Sequence, residues 1–332
     1  MSPSGILQSI TKFLRRHMLI VVYIALAIFM MIFTDGFFNT FNIGAILGLG
    51  SIMGFLVLGE AIVILTGGID LSVGRIASFS GVIAAWTMLK FQGVLPESGI
   101  IALVIIFGIL SGAFVGFING ISVAKMGIPP LIATLGGMGI AYGLAEYVFA
   151  GIPTNLEVKA FSAAVRLKVL NIFPLSSVIF VIFAIALSIF LWKMKSGRYV
   201  YAVGGSLEAA FLSGVKTDKV LIWTYVTSGI LSAIGGLLLA GWMRVGDARA
   251  GGGYEFIAIT AVVMAGFSLF GGVGNIWDAV IGIMTLQTIR KIIPHLRIST
   301  FFEEGIVGGI LLIAVMISVV SIRRMHATRS SL

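Results

Sequence analysis

The sequence predicts an all-α, polytopic membrane protein with about ten transmembrane helices, an inverted internal repeat and broken helices. Of its 332 residues, 59% are hydrophobic and only 11% are charged, whereas a soluble domain is about one-quarter charged. Its mean hydropathy is +1.13, and several apolar runs are long enough to cross a bilayer as helices. The alternating pattern of an outer-membrane barrel is absent. We therefore expect a single transmembrane domain over residues 1–332.

The order of the apolar runs predicts the path of the chain through the membrane. The predicted crossings are residues 18–34, 43–65, 76–89, 99–124, 131–150, 174–192, 220–243, 257–270, 276–289 and 301–321. Lys12, Arg15 and Arg16 precede the first crossing, and a basic pair follows the last. Because cytoplasmic ends carry an excess of Lys and Arg, we expect both termini and the polar loop 193–219 to be cytoplasmic. The net charge of +9 fits contact with anionic membrane lipid, and we expect no nucleic-acid partner.

The sequence LTGGIDLSVGRIASFSG at 65–81 interrupts the apolar pattern between the second and third crossings. It places Gly67, Gly68, Asp70 and Ser72 between apolar runs. An unpaired backbone group in hydrocarbon is costly, so such a break is tolerated inside protein or beside water. An ionisable side chain at this depth indicates a functional site. We expect the segment to line the transport pathway; the alternative is a cytoplasmic turn in which Asp70 caps the next helix.

A second break, RVGDARAGGGYEF, follows the seventh crossing. Its GGYE at 252–255, which includes Gly253 and Glu255, echoes the GGID at 67–70. Helices 2–5, at about 42–150, and helices 7–10, at about 219–321, enter from opposite sides and would be inverted copies. The repeat would place two acid-bearing breaks symmetrically about a central path.

The fourth crossing carries a ridge of small residues. Gly108, Gly112, Gly116 and Gly120 recur every four residues and lie on one helix face. Small-xxx-small spacing lets another helix approach closely within lipid. The ridge therefore predicts tight helix packing and indicates no chemistry.

The sequence predicts no catalytic residue, bound metal or bound cofactor. The histidines, His17, His295 and His326, are far apart, and cysteine is absent; no P-loop or serine-nucleophile motif occurs. The carboxylates at apolar depths are Glu60, Asp70, Glu146, Glu255 and Asp278. For Glu60, Glu146 and Asp278 we expect interhelical hydrogen bonds or satisfied edge positions. The protein is thus expected to move a solute and not to convert one.

The loop 193–219 contains Glu208, Ala209 and Ala210 followed by Gly214. A short helix that ends at a glycine and projects from the membrane is a knob that a groove of another protein can accept. The alternative is a surface helix that only connects two crossings.

Three motifs resemble one family of transporters. LTGGIDLSVG at 65–74, SGRYVYAVGG at 196–205 and the Gly-Tyr-Glu at 253–255 are similar to ribose-type permease subunits of bacterial ABC importers, over roughly residues 20–320. The resemblance implies an inner-membrane location, a second permease subunit (identical or paralogous) and a periplasmic sugar-binding protein. It also implies an ATP-binding subunit, which would hold the ATP and Mg.

Carried over residue by residue, the resemblance assigns roles to two parts of the chain. Gly197, Arg198, Tyr199, Gly204 and Gly205 would belong to the loop that docks on the ATPase. Asp70 and Ser72 would belong to the broken helix near the path.

Two departures from the ribose pattern leave the identity of the sugar open. The Glu-Ala-Ala in SLEAAFLSG stands one residue later than expected, and FSLFGGVGNIWDA introduces Phe267, Phe270 and Trp277. We therefore expect an importer subunit for a monosaccharide or similar small polar solute. One alternative is an ion-coupled secondary transporter that uses Asp70 and Glu255 as coupling carboxylates. Another is an ABC permease for branched-chain amino acids or nucleosides.

Overall fold

The computed structural model describes residues 18–34, 36–297 and 299–329 and is mostly helical. The basic residues predicted to precede the first crossing, Lys12, Arg15 and Arg16, and also His17, lie outside the described residues. The α-helices of the described part are α1 (Met18–Phe33), α2 (Thr40–Leu65), α3 (Val73–Phe91), α4 (Glu97–Ala124), α5 (Pro130–Phe149), α6 (Lys159–Arg166), α7 (Leu175–Lys193), α8 (Lys195–Gly205), α9 (Leu207–Leu212), α10 (Thr217–Met243), α11 (Tyr254–Met264), α12 (Ile276–His295) and α13 (Glu303–Arg329). A 3₁₀ turn, Thr300–Phe302, precedes α13.

Short strands tie together the loops that follow α5, α6 and α10. β1 (Thr154–Asn155) pairs antiparallel with β4 (Val245–Gly246). β2 (Lys168–Val169) pairs antiparallel with β3 (Phe173–Pro174). The first pair connects loops that are about ninety residues apart in the chain.

Among the described residues, five helices are long and apolar enough to cross a membrane, namely α2, α4, α5, α7 and α10. The prediction of an all-helical, polytopic membrane protein is confirmed at this level, and the full set of crossings stays a prediction. The predicted eighth crossing, 257–270, is different in form. Its helix α11 has 11 residues, so it is about 16 Å long and cannot cross the hydrocarbon core alone.

Two buried helices, α2 and α10, form the centre of the bundle and pack directly against each other. Their contact is close because small residues meet backbone there: a Cβ on Gly59 of α2 would lie 3.1 Å from the Ser228 Cα. Both helices are apolar on nearly all sides, which is the pattern of a helix surrounded by protein.

Six further helices pack around this pair, three beside each of its members. α3 and α4 pack on α10, and α11 and α12 pack on α2. On the outside, α5 packs on α3, and α13 packs on α11. Each helix of the first block thus has a counterpart in the second block with matching neighbours.

Two regions of short helices and strands lie near opposite ends of α10. Near its beginning, Val220 packs against Val215 and Ala210 of the α9 region. Near its end, a Cβ on Gly241 would lie 2.7 Å from Val165 of α6. The α8–α9 region and the α6–β1–β4 region are therefore at opposite ends of the bundle.

Local signals explain where several helices begin. The Asn39 side chain accepts from the Asn42 amide and caps α2, and Pro130 occupies the first turn of α5. The Ser206 and Asn275 side chains cap α9 and α12 by accepting from the Ala209 and Trp277 amides. These are the side chains that favour helix starts, because they accept from otherwise unpaired amides.

Candidate functional site

The first break is an unwound linker inside the bundle. α2 ends at Leu65, the chain turns at Gly67 with φ of +82°, and α3 begins at Val73. Asp70 and Ser72 of this linker are completely buried. The linker thus lies within protein, as the cost of unpaired backbone groups in hydrocarbon requires.

Asp70 and Ser72 together fasten the linker to two helices. Its Oδ1 accepts from the Ser72 amide at 3.0 Å and from the Ser72 hydroxyl at 2.5 Å. Its Oδ2 accepts from the Ser228 hydroxyl of α10 at 2.8 Å. The Asn119 amide of α4 donates to the Ser72 hydroxyl at 2.9 Å. These bonds join residues that are far apart in the chain, so Asp70 does more than cap a helix.

Asp70 is not the N-cap residue of α3, as the alternative interpretation of this segment would require. The N-cap position is Ser72, and no side-chain hydrogen bond caps the helix there. Asp70 accepts from the Ser72 amide, which precedes the first helical residue. The carboxylate therefore organises the turn before α3 and its contact with α10.

Glu60 lies beside Asp70, a pairing that the sequence analysis did not predict. The Asp70 amide donates to Glu60 Oε1 at 3.2 Å, and Glu60 is completely buried. Glu60 Oε2 and the Tyr225 hydroxyl are both buried and have no hydrogen-bond partner within the part of the chain that the structure describes. Glu60 stands five residues before the end of α2, so the linker can fold back onto it. In the sequence, a single acid in an apolar helix close to a break is the signal that could have predicted this contact.

The second break leads from α10 to α11 and packs along α3. The Gly251 amide donates to the Ser78 hydroxyl at 2.8 Å, and Arg75 donates to the Ala248 carbonyl at 3.2 Å. The backbones of Gly74 and Gly251 are in contact: a Cβ added to either glycine would overlap with the carbonyl oxygen of the other. In this conformation the second break is in direct contact with the first turns of α3, which follow the first break.

Glu255 stands where the two broken helices begin. It is in the first turn of α11, nearly buried, and its Oε1 accepts from the Gly253 amide at 3.3 Å. A Cβ on Gly74, in the first turn of α3, would overlap with the other carboxylate oxygen. A negative charge is favourable at a helix N-terminus, and here two such ends meet.

The remaining acids at apolar depths occupy edge positions or have partners. Glu146 of α5 forms an ion pair with Arg249 at 3.6 Å, and the Arg249 side chain is 71% exposed. Such an exposed pair is screened by solvent and adds little to stability. Asp278, in the first turn of α12, is also not free of interactions. Within the described residues, no group of His, Asp and Glu side chains could hold a metal ion.

The predicted ATPase loop contains residues that face in opposite directions. Gly197 packs on α7, where a Cβ would lie 2.5 Å from the Leu191 Cα, and a Cβ on Gly204 would overlap with the Leu65 carbonyl. Gly205 has open space, and Arg198 and Tyr199 are exposed. The two packed glycines thus face α7 and the end of α2, whereas Arg198 and Tyr199 face outward.

Tyr201 is an inward-facing residue of α8 that sequence reasoning missed. Its hydroxyl donates to the Gly274 carbonyl at 3.0 Å. Burial raises the pKa of Tyr201, so the hydroxyl keeps its proton as a donor. Tyr201 also lines a cavity of about 640 Å³ between α7, α8 and α12, together with Trp192, Arg198 and Asn275.

The knob predicted around Glu208 is the short helix α9. Ala210 faces inward and is buried, whereas Glu208 and Ala209 are exposed. Gly214 follows with φ of +82° and has no atom near its Cβ position. The exposed apolar side chains of α9 are Phe211 at 66%, Leu212 at 78% and Leu207 at 52%. Sequence reasoning missed these three, since it followed the Glu-Ala-Ala motif alone.

The glycine ridge of α4 lies against α10. A Cβ would lie 2.2 Å from the Gly229 carbonyl oxygen at Gly112, 2.3 Å from the Tyr225 carbonyl oxygen at Gly116 and 2.8 Å from the Ile222 Cα at Gly120; at Gly108 it would lie 2.6 Å from the Leu237 side chain. Contacts this short with backbone atoms leave no room for a side chain at Gly112, Gly116 and Gly120 unless the helices move apart. The ridge thus allows the two backbones to approach closely.

Two helices that begin inside a bundle of long apolar helices, each after an unwound segment, are the construction of a membrane transport protein. The chain belongs to the family described as branched-chain amino acid transport system / permease component, which matches residues 42–319. It is therefore a permease subunit and not an enzyme.

Several curated proteins are similar to the chain over nearly its whole length. A ribose import permease protein of Bacillus subtilis (strain 168) is 34% identical over 94% of this chain and 93% of its own. A galactose/methyl galactoside import permease protein of Salmonella typhimurium is 36% identical over 89% and 91%. An L-arabinose ABC transporter permease protein of Azospirillum brasilense is 30% identical over 95% and 91%. No solved structure matches the chain significantly.

Proposed function

We propose that this chain is the membrane permease of an ATP-driven, binding-protein-dependent importer of a monosaccharide or similar small polar solute. The observation that carries the proposal is the similarity, over about nine-tenths of both chains, to permeases named for ribose, galactose and arabinose. Its family description names branched-chain amino acids, so an amino-acid importer is the alternative to test.

The two breaks are the proposed gate of the solute pathway. The contact between the second break, at Gly251–Glu255, and the first turns of α3, at Gly74–Ser78, fits a closed state of such a gate. We propose that the blocks at about 42–150 and 219–321 are inverted repeats, because their helices have matching neighbours. Rocking of one block against the other would then separate the breaks. The binding protein supplies the solute affinity, so the path needs few polar side chains.

The two ends of the bundle suit different partners. We assign α8 and α9 to the ATP-binding subunit, because α9 exposes Phe211 and Leu212 and an apolar helix face fits a hydrophobic groove. The opposite end, with α6 and the β1–β4 pair, is assigned to the periplasmic binding protein. A second permease subunit, identical or paralogous, would complete a complex in the bacterial inner membrane, with ATP and Mg held by the ATPase. In this arrangement both termini are cytoplasmic, and ten segments cross or enter the membrane.

The test is uptake by the purified complex. The permease, its ATPase and its binding protein are reconstituted in liposomes, and uptake of labelled ribose, galactose, arabinose, allose and leucine is compared. We expect ATP-dependent uptake of one or more sugars and none of leucine. Uptake of leucine alone would replace the sugar with a branched-chain amino acid, and uptake of neither class would contradict the proposal.

A further inference from the structure

Three backbone segments meet at the end of α8. The Gly272 amide donates to the Leu65 carbonyl at 3.0 Å. A Cβ on Gly204 would overlap with that same carbonyl and lie 2.6 Å from the Gly272 nitrogen. A Cβ on Gly271 would lie 2.7 Å from the Gly204 carbonyl oxygen. Backbone therefore touches backbone here, and we name Leu65, Gly204 and Gly271–Gly272 the three-way junction.

Two of the junction's segments lead directly into the two broken regions. Leu65 is the last residue of α2, and the unwound linker with Asp70 follows it. Gly271–Gly272 follow α11, which begins at the second break and has only 11 residues. The turn between them is tied to the helix by backbone hydrogen bonds: the Phe267 amide donates to the Val262 carbonyl at 3.3 Å, and the Ser268 amide donates to the Val273 carbonyl at 3.1 Å. Gly272 is therefore connected through this turn to α11, whose first turn carries Glu255.

The third segment leads to the exposed knob. Ser206 is extended, with φ of −165°, and it alone separates α8 from α9. One turn before Gly204, Tyr201 donates to the Gly274 carbonyl. Gly197 fits α8 closely against α7. The start of α8 therefore packs against α7, and its end is joined to α9 through Ser206. The three-way junction lies beside that end of α8.

We infer that Gly204 is the positioning residue through which a displacement of α9 reaches both broken regions at once, with Tyr201 as its second point of attachment. The inference rests on the proposed function, and it adds a specific path within the permease. Neither residue touches the solute. Their role is to keep the backbone of α8 in contact with the end of α2 and the turn after α11.

The test measures the number of solute molecules imported per ATP hydrolysed, using the sugar with the highest wild-type uptake among ribose, galactose, arabinose and allose. In Gly204→Ala the added methyl group separates α8 from Leu65. We expect an assembled complex that still hydrolyses ATP, with about a tenfold lower ratio. Gly205→Ala, in open space, should lower the ratio less. Gly143→Ala on α5, also in open space, is the matched control and should keep the wild-type ratio.

Tyr201→Phe decides the matter if Gly204→Ala does not assemble, because it removes one hydroxyl and adds no atom. We expect about a threefold lower ratio from the loss of one hydrogen bond, with an unchanged amount of folded complex. Tyr147→Phe, at an exposed site, is its control. Wild-type ratios in the assembled variants would overturn the inference, as would a loss of transport only in proportion to folded protein. Failure of the wild-type complex to import with ATP would instead contradict the proposed function.

Discussion

Asp70 is the residue on which the first broken segment depends most. Its carboxylate accepts from the amide and hydroxyl of Ser72 and from the Ser228 hydroxyl, so it joins the linker to α10. All of these groups are buried, and a buried donor that loses its acceptor costs about 1–3 kcal/mol. The carboxyl of Glu60 touches the same linker. Small changes at Asp70 should therefore alter both stability and the balance between conformations.

Substitutions at Asp70 should have graded effects. Asp70→Asn keeps the shape but only one acceptor oxygen, so we expect a folded permease with a reduced transport rate. Asp70→Leu removes every acceptor and should lower the midpoint of thermal unfolding and the yield of monodisperse protein, by the equivalent of about 2–5 kcal/mol for several orphaned donors. Size-exclusion chromatography and thermal unfolding in detergent would measure this. Glu97→Gln, at an exposed helix start, is the control. Wild-type stability of Asp70→Leu would show that the network contributes nothing.

At the scale of the element, α4 and α10 approach each other closely along the glycine ridge. The ridge on α4 meets the α10 backbone and small side chains from Ile222 to Leu237. In lipid, where apolar side chains gain little by leaving their surroundings, such close packing is a main source of helix association. The pair also carries Asn119 and Ser228, which hold the linker. Loosening this contact should therefore loosen the site.

Overpacking the ridge should destabilise the fold. In Gly112→Leu or Gly116→Leu the new side chain meets backbone that cannot turn aside, and we expect a loss of about 1–3 kcal/mol or more. The yield of folded protein and the unfolding midpoint in detergent are the measurements. Gly99→Leu is the control on the same helix, because the nearest atom to a Cβ there is 3.8 Å away. Neutral results at both ridge positions would show that α4 does not pack on α10 in the membrane.

Gly214 sets the direction in which the chain leaves α9. Its φ of +82° is strained for any residue with a branched side chain, by about 1–2 kcal/mol. We expect Gly214→Val to leave the permease folded in the membrane and to uncouple ATP hydrolysis from uptake, because α9 would be reoriented. The ratio of solute imported to ATP hydrolysed measures this, with Gly136→Val in open space as the control. Normal coupled transport in Gly214→Val would remove the assignment of α9 to ATPase docking.

At the scale of the whole molecule, the irregular elements of the bundle are arranged along the direction of α10. The apolar knob α9 is at one end, the strand pair β1–β4 is at the other, and the second break packs on the start of α3 between them. The carboxylates at the breaks accept hydrogen bonds from the protein itself. They serve as structural acceptors in the proposed cycle, whereas in a secondary transporter they would carry the coupling ion.

The energy source of transport distinguishes these two roles. With ATP supplied to the ATPase in proteoliposomes, we expect uptake to continue when an uncoupler removes the proton gradient. Asp70→Asn should transport more slowly under the same conditions and still depend on ATP. Uptake that stops with the uncoupler, or that runs on a pH gradient without ATP, would favour an ion-coupled secondary transporter. The control is a liposome that lacks the permease.

The sequence by itself determined the class of protein and the position of its irregular segments. Composition and run length show a membrane protein, because a charged side chain or an open backbone cannot be placed in hydrocarbon without partners. For the same reason the glycines and acids at 65–75 and 250–256 stand out against their apolar surroundings. The four-residue repeat of the α4 ridge is also local, and so are the motifs that resemble sugar permeases. All of these signals lie within short stretches of chain.

Only the tertiary structure decided which of these stretches meet. Ser228 and Asn119 are ordinary polar residues in apolar helices, and only packing brings them to Asp70 and Ser72. The contact of Gly204 with Leu65 and Gly272 likewise joins three segments from distant parts of the chain. In a helix that is apolar on all sides, no periodicity marks the face that meets a given neighbour. The choice of neighbour comes from shape and from pairing of buried polar groups, and both exist only once the helices are assembled.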